Sequence, residues 1–124
     1  MRVLTMCRHK ARIVPGKMRK VLDTVRPNKM VLAHTGGMMQ WEQVYELLAG
    51  EEVYMDLSST FPYVEREILL KIMEKHDKNK LLFASDSPWS NPSDDLDAVR
   101  SLPLTNAEIE AILSGNASRL LGIV

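Results

Sequence analysis

His34 and Asp86 are the residues whose type and placement best suit metal binding or proton transfer. His34 closes the apolar run KMVLAH, and Asp86 follows directly on the run KLLFAS. Between them, Asp56 and Ser58 lie near the end of a third such run, EVYMDLS. Short apolar runs bounded by turn residues are expected of strands buried on both faces. In parallel α/β folds, ligands bind beyond the carboxyl ends of such strands, where loops converge and helix N-termini direct free amides. These four residues are therefore expected to face one pocket.

An imidazole and a carboxylate are suitable ligands for zinc or another divalent metal, and the carboxylate can also take a proton from water. Two ligands fall short of the three that a catalytic zinc normally takes from protein. A histidine or aspartate at a strand end also has an ordinary use as a helix cap or turn residue. Spacing alone leaves both readings open. The pair Gly36-Gly37 likewise has two accounts: a tight turn between strand and helix, or a place where backbone amides approach an anionic or carbonyl oxygen.

Helices must carry these strand ends into place. After the strand at 29–34, apolar residues recur at Trp41, Val44, Tyr45, Leu47 and Leu48, predicting a helix over 38–49 that Gly50 stops in a left-handed conformation. The pattern repeats as a strand at 52–58 and a helix at 64–76 whose buried stripe is Ile68, Leu69, Ile72 and Met73, followed by a strand at 80–85. A helix is expected over 94–101. Another begins at Thr105, where Thr105 and Glu108 fit a capping box and Leu104 and Ile109 a hydrophobic staple, with Gly115 as its stop. A last turn at 116–121 ends at Gly122. Upstream, 2–6 is read as a strand and 16–25 as a helix burying Met18, Val21 and Leu22. Alternating strands and helices favour a parallel sheet with right-handed crossovers.

The bulk composition narrows the partners. Sixteen basic and sixteen acidic residues cancel, and no basic stripe interleaves with aromatics, so neither nucleic acid nor an anionic membrane is expected. No apolar run approaches the ~20 residues of a membrane span, and a single cysteine forms no internal disulfide, which reads as a cytoplasmic protein. Cys7, without a partner motif, suits a small buried hydrophobe better than a nucleophile. The eight methionines suit core filling. His76 falls at the end of a helix, where the helix dipole favours a cation and no function is required.

Three segments share a resemblance. VLAHTGGMMQWEQVYELL is similar to the strand-six region of amidohydrolase-related proteins, in which a buried strand ends in histidine before a glycine-rich turn and a helix. LLFASDSPW resembles the strand-eight signature of that family, and NASRLLGI its closing segment. The motifs occur in family order across residues 17–124. The resemblance, to the C-terminal half of an amidohydrolase-superfamily barrel, implies a partial TIM-type βα barrel of about four βα units with C-terminal helices. It implies a metal-dependent hydrolase, or a related decarboxylase, acting on a small carbonyl substrate. By position, Asp86 would bind the metal and orient or deprotonate the attacking water. His34 would ligate the metal or polarise the substrate carbonyl. Ser87, Pro88 and Trp89 would shape the pocket rim, with the alternative that Pro88 and Trp89 only pin the loop, and Gly36 and Gly37 would line the substrate site.

The sequence departs from the family pattern in ways that matter. The family's His-x-His pair on strand one is absent, and its strand-five histidine would fall near Met6, which is no hard-metal donor. His9 matches none of the motifs. A whole barrel takes ~250 residues, about twice the 124 present. Buried parallel strands with open edges are an aggregation hazard, so a partner half, self-association as a homodimer, or a truncated gene product is expected. The alternatives to the enzyme reading are a non-catalytic, self-associating half-barrel module and a small domain binding an anion at Thr35-Gly36-Gly37.

Overall fold

The computed structural model describes residues 14–123, which form an α/β arrangement of short parallel strands alternating with helices. Helix α1 (Pro15–Val25) begins at a proline, whose missing N–H is no loss in a first helical turn, and ends where Arg26 turns left-handed. Met18, Val21 and Leu22 pack against the core, as expected. Then follow β1 (Val31–Leu32), α2 (Trp41–Leu47), β2 (Tyr54–Asp56), α3 (Arg66–Lys75), β3 (Leu81–Leu82), α4 (Pro92–Arg100), α5 (Asn106–Glu110) and α6 (Asn116–Leu121). The strand expected at 2–6, with Cys7 and His9, lies outside the described residues.

The sheet runs β1-β2-β3, both pairs parallel. Val31 pairs with Tyr54 and Leu32 with Met55; Met55 in turn pairs with Leu81, and Asp56 with Leu82. Leu32, Met55 and Leu81 are buried with Val44 and Leu48 from the α2 region and Leu69, Ile72 and Met73 from α3. Val99, Leu102 and Ile112 complete the same core. No helix of the described residues is long and apolar enough to cross a membrane.

The strands are shorter than the apolar runs because the backbone leaves extended conformation soon after each ladder. His34 and Thr35 beyond β1, Ser59 beyond β2 and Asp86 beyond β3 all have positive φ, between 47° and 60°. Such conformations are uncommon for non-glycine residues and persist only where surrounding contacts hold them. Here they cluster at the carboxyl ends of all three strands.

Three local expectations are corrected. Tyr45 does not join the buried stripe of α2: with Trp41, Val44 and Leu48 facing the core, position 45 falls at the edge, and the Lys75 ammonium lies 4.7 Å from its ring centroid. Gly115 does not stop a helix. It is helical itself (φ −60°), because the chain passes through a π-helical segment, Ala111–Gly115, straight into α6, and the stop comes at Gly122 (φ +70°). This wide turn is pinned from outside, since Phe83 N–H donates to the Ile112 carbonyl and the buried Asn116 amide donates to the carbonyls of Lys78 and Leu81. His76 is no exposed cation at a helix end. It is buried, and burial pushes its pKa below the ordinary histidine value.

Other boundaries follow the expected chemistry. Gly50, three residues beyond the end of α2, takes φ +89°. Asn91 caps α4 through its side chain, and the Thr105–Glu108 capping box forms in both directions.

Candidate functional site

His34, two residues past β1, is buried and held at three points. Its backbone N–H donates to Asp56 Oδ1 at 3.1 Å. Its ring Nδ1 lies 3.2 Å from the Ser58 carbonyl oxygen and 2.9 Å from Ser58 Oγ. The Ser58 hydroxyl donates to Asp56 Oδ1 in a short hydrogen bond, and Ser58 N–H donates to the same oxygen at 3.1 Å. A carbonyl oxygen can only accept, and the hydroxyl hydrogen is committed to Asp56, so the proton sits on Nδ1. In the neutral ring the other nitrogen, Nε2, then carries a bare lone pair, and it is buried without a hydrogen-bond partner.

The five residues from Asp56 to Thr60 bridge the two motif residues. Thr60 Oγ1 donates to the Ser58 carbonyl at 3.1 Å and shares a 2.7 Å hydrogen bond with Thr35 Oγ1. Ser59 Oγ donates to Asp86 Oδ2 at 2.9 Å. The loop after β2 thus holds His34 through Ser58 and Asp86 through Ser59; His34, Asp56 and Ser58 share one set of hydrogen bonds, and Asp86 is tied to that set only through the backbone between Ser58 and Ser59. Among the described residues, no three His, Cys, Asp or Glu side chains gather as a metal cluster.

Gly36 and Gly37 form a tight turn. Gly36 N–H donates to the Ala33 carbonyl and Gly37 N–H to the His34 carbonyl, so both amides are engaged within the loop. Gly36 (φ +85°) also lies against the side chains of Leu48 and Leu32, where a Cβ would sit 3.0 and 3.4 Å from their methyls. Beyond Asp86, Trp89 N–H donates to the Asp86 carbonyl, closing a turn that contains a cis Ser87-Pro88 bond. Ser87, Pro88 and Trp89 are exposed, and Trp89, 81% accessible, pins nothing in the core.

The opposite end of the sheet is built differently. Gly50 N–H donates to His76 Nδ1, and His76 Nε2 lies 3.0 Å from the Val53 carbonyl, so this imidazole is neutral and protonated at Nε2. A cavity of about 340 Å³ at that end is lined by Arg19, Asp23, Arg26 and Glu51 among others, with Arg19 paired to both Asp23 and Glu51. It lies at the strands' amino ends, away from His34 and Asp86.

Ser59 and Thr60 were not among the residues singled out from sequence. The signal was present as the run Ser58-Ser59-Thr60 directly after a buried strand, where hydroxyls have backbone and side-chain groups to satisfy.

No curated protein matches the sequence. Solved structures do. A dihydroxybenzoic acid decarboxylase from Polaromonas sp. JS666, with bound manganese and the inhibitor 2-nitroresorcinol, is 18% identical with a TM-score of 0.63, over 83% of this chain and 36% of its own. A 5-carboxyvanillate decarboxylase from Sphingomonas paucimobilis is 17% identical with a TM-score of 0.63, over 84% of this chain and 36% of its own. An amidohydrolase 2 from Bifidobacterium longum subsp. infantis is 20% identical with a TM-score of 0.63, over 89% of this chain and 46% of its own. At such identities the likeness is one of fold, and this chain spans less than half the length of each. The amidohydrolase family model matches residues 11–123, nearly the whole sequence, and the chain belongs to the amidohydrolase family.

Proposed function

We propose that this chain is the C-terminal part of a TIM-type βα barrel, a half barrel of about four βα units. In this reading it belongs to a metal-dependent hydrolase, or related decarboxylase, acting on a small carbonyl substrate in the cytoplasm. On its own the chain has weak or no activity, because the other ligands come from outside residues 14–123. The observation that carries the reading is the buried, unpartnered Nε2 of His34, with Asp86 held by Ser59 of the same loop whose Ser58 holds His34. A buried polar atom left unpaired costs roughly 1–3 kcal/mol, and a ligand accepting its lone pair removes that cost.

The donors present fit a divalent cation: one imidazole whose tautomer is set by the hydrogen bonds at its other nitrogen, and one carboxylate with one oxygen already oriented. His34 and Asp86 would hold the metal, zinc or, as in the Polaromonas structure, manganese. When bound, the metal supplies Lewis acidity to the substrate carbonyl oxygen. Asp86 orients or deprotonates the attacking water. Ser87, Pro88 and Trp89 form a substrate rim, and Gly36 and Gly37 keep the β1 loop low so that substrate can approach, with their amides spent inside the turn. Equilibrium dialysis of zinc and manganese against the chain, His34→Ala and Asp86→Ala tests this. Both variants should bind at least about tenfold more weakly; equal affinity in all three would sink the proposal.

A second reading, a non-catalytic module that self-associates as a homodimer, is favoured by one observation. Among the described residues, β1 and β3 each keep one edge without a strand partner. Sedimentation that shows a tight dimer, together with no metal binding, would move this reading ahead.

A further inference from the structure

We propose that Asp56, acting through Ser58, is a positioning residue that sets the tautomer of His34 and so keeps Nε2 as the ligating nitrogen. The inference rests on the reading of His34 as a metal ligand, and extends it to residues that touch neither metal nor substrate.

Nδ1 of His34 faces two groups of the same residue, the carbonyl and the hydroxyl of Ser58. The carbonyl can only accept. The hydroxyl could donate to Nδ1, which would move the ring proton to Nε2 and remove the lone pair a metal needs. Asp56 Oδ1 prevents this by taking the hydroxyl hydrogen, leaving Ser58 Oγ able only to accept from Nδ1–H. The same oxygen accepts from the His34 and Ser58 backbone N–H groups. Asp56 therefore also fixes the left-handed turn at His34 (φ +55°). Thr60 completes the arrangement by donating to the Ser58 carbonyl, so that this oxygen accepts from Thr60 and His34 together.

The protein contains its own contrast. His76 is held by a backbone N–H on Nδ1 and a backbone carbonyl on Nε2, so its proton sits on the nitrogen that His34 leaves without a partner. In one ¹⁵N-labelled sample, without metal, long-range ¹H–¹⁵N spectra at pH 8 should show His34 protonated at Nδ1 and His76 at Nε2. His34→Gln and His76→Gln variants assign the signals. Finding His34 protonated at Nε2 in the wild-type chain overturns the inference, whatever the variants do.

The variant series separates tautomer control from simple support. Asp56→Ala frees the Ser58 hydroxyl, so His34 should shift toward the Nε2–H form and zinc affinity should fall about 10- to 100-fold. Asp56→Asn, which keeps an acceptor oxygen, should retain the Nδ1–H form. Removing the freed hydroxyl as well, in Asp56→Ala/Ser58→Ala, should return the ring to Nδ1–H, which a merely structural role for Asp56 does not explain. A His34 tautomer unchanged in folded Asp56→Ala overturns the inference. If the tautomers respond as expected but no form of the chain binds zinc or manganese, the metal reading fails and the control of His34 by Asp56 stands.

Discussion

His76 Nε2 donates to the Val53 carbonyl at 3.0 Å, tying the end of α3 to the start of β2. The remaining nitrogen accepts from Gly50 N–H, so the ring has no site for a second proton without losing a hydrogen bond. Burial is the largest cause of its lowered pKa, followed by the Val53 hydrogen bond and Asp77, which oppose the shift; Lys80 adds to it and Glu52 opposes it. Because the folded-state pKa lies below the unfolded value of about 6.5, the unfolded chain binds more protons between the two. Stability should therefore be full above about pH 6.5 and fall as pH drops below it, by at most about 1.4 kcal/mol per pH unit from this group. Urea midpoints for wild type and His76→Gln at pH 8 and pH 5.5 check this. The wild type should lose more between the two pH values than the variant, and parallel losses would refute the assignment.

Gly36 and Gly37 should fail for different reasons. Alanine at Gly36 meets a left-handed backbone (φ +85°) and a Leu48 methyl at 3.0 Å. The conformation alone costs about 1–2 kcal/mol. Gly37 is extended (φ 171°), so its alanine carries no such backbone cost, but its Cβ would sit 2.8 Å from Pro15 Cγ and 3.1 Å from a Val44 methyl. A loss of about 1–3 kcal/mol is expected from overpacking. Pro15→Ala should relieve much of the Gly37→Ala defect and none of the Gly36→Ala defect, as measured by a double-mutant cycle in urea.

Asn116 should prove a main support of the strand that leads to Asp86. Its buried amide donates at 2.8 Å to the carbonyls of both Lys78 and Leu81. Asn116→Ala leaves those acceptors without their donor and should cost about 2–4 kcal/mol. Asn116→Asp should be worse, since a carboxylate would face two carbonyl oxygens. Thermal unfolding of the three proteins ranks them, and an Asn116→Asp as stable as wild type would contradict the structure.

Much of the fold was legible because apolar runs and helical stripes carry it. Val44, Leu48, Leu69, Ile72 and Met73 are buried as their spacing implies, and the capping box at Thr105 is local chemistry within four residues. What stayed hidden depends on contacts distant in sequence. Nothing near Gly115 shows that Lys78, Leu81 and Phe83 hydrogen-bond to the π-helical turn and the residue after it, and nothing near His76 shows that Gly50 and Val53 enclose it. At the site, His34 and Asp86 stood out by type and position, and Asp56 and Ser58 by their place at a strand end. The hydrogen bonds that tie His34 to Asp56 and Ser58, and Asp86 to Ser59, could be seen only once three strand ends were brought side by side.

The central claim is that His34 and Asp86 serve one divalent cation. Paramagnetic broadening of backbone amides by substoichiometric manganese measures this directly on the chain as it stands. The amides of His34, Ser59 and Asp86 should broaden together, while those of Gly50 and His76 at the other end of the sheet stay sharp. Broadening centred instead on Asp23 and Glu51, or none above that of free surface carboxylates, would contradict the claim.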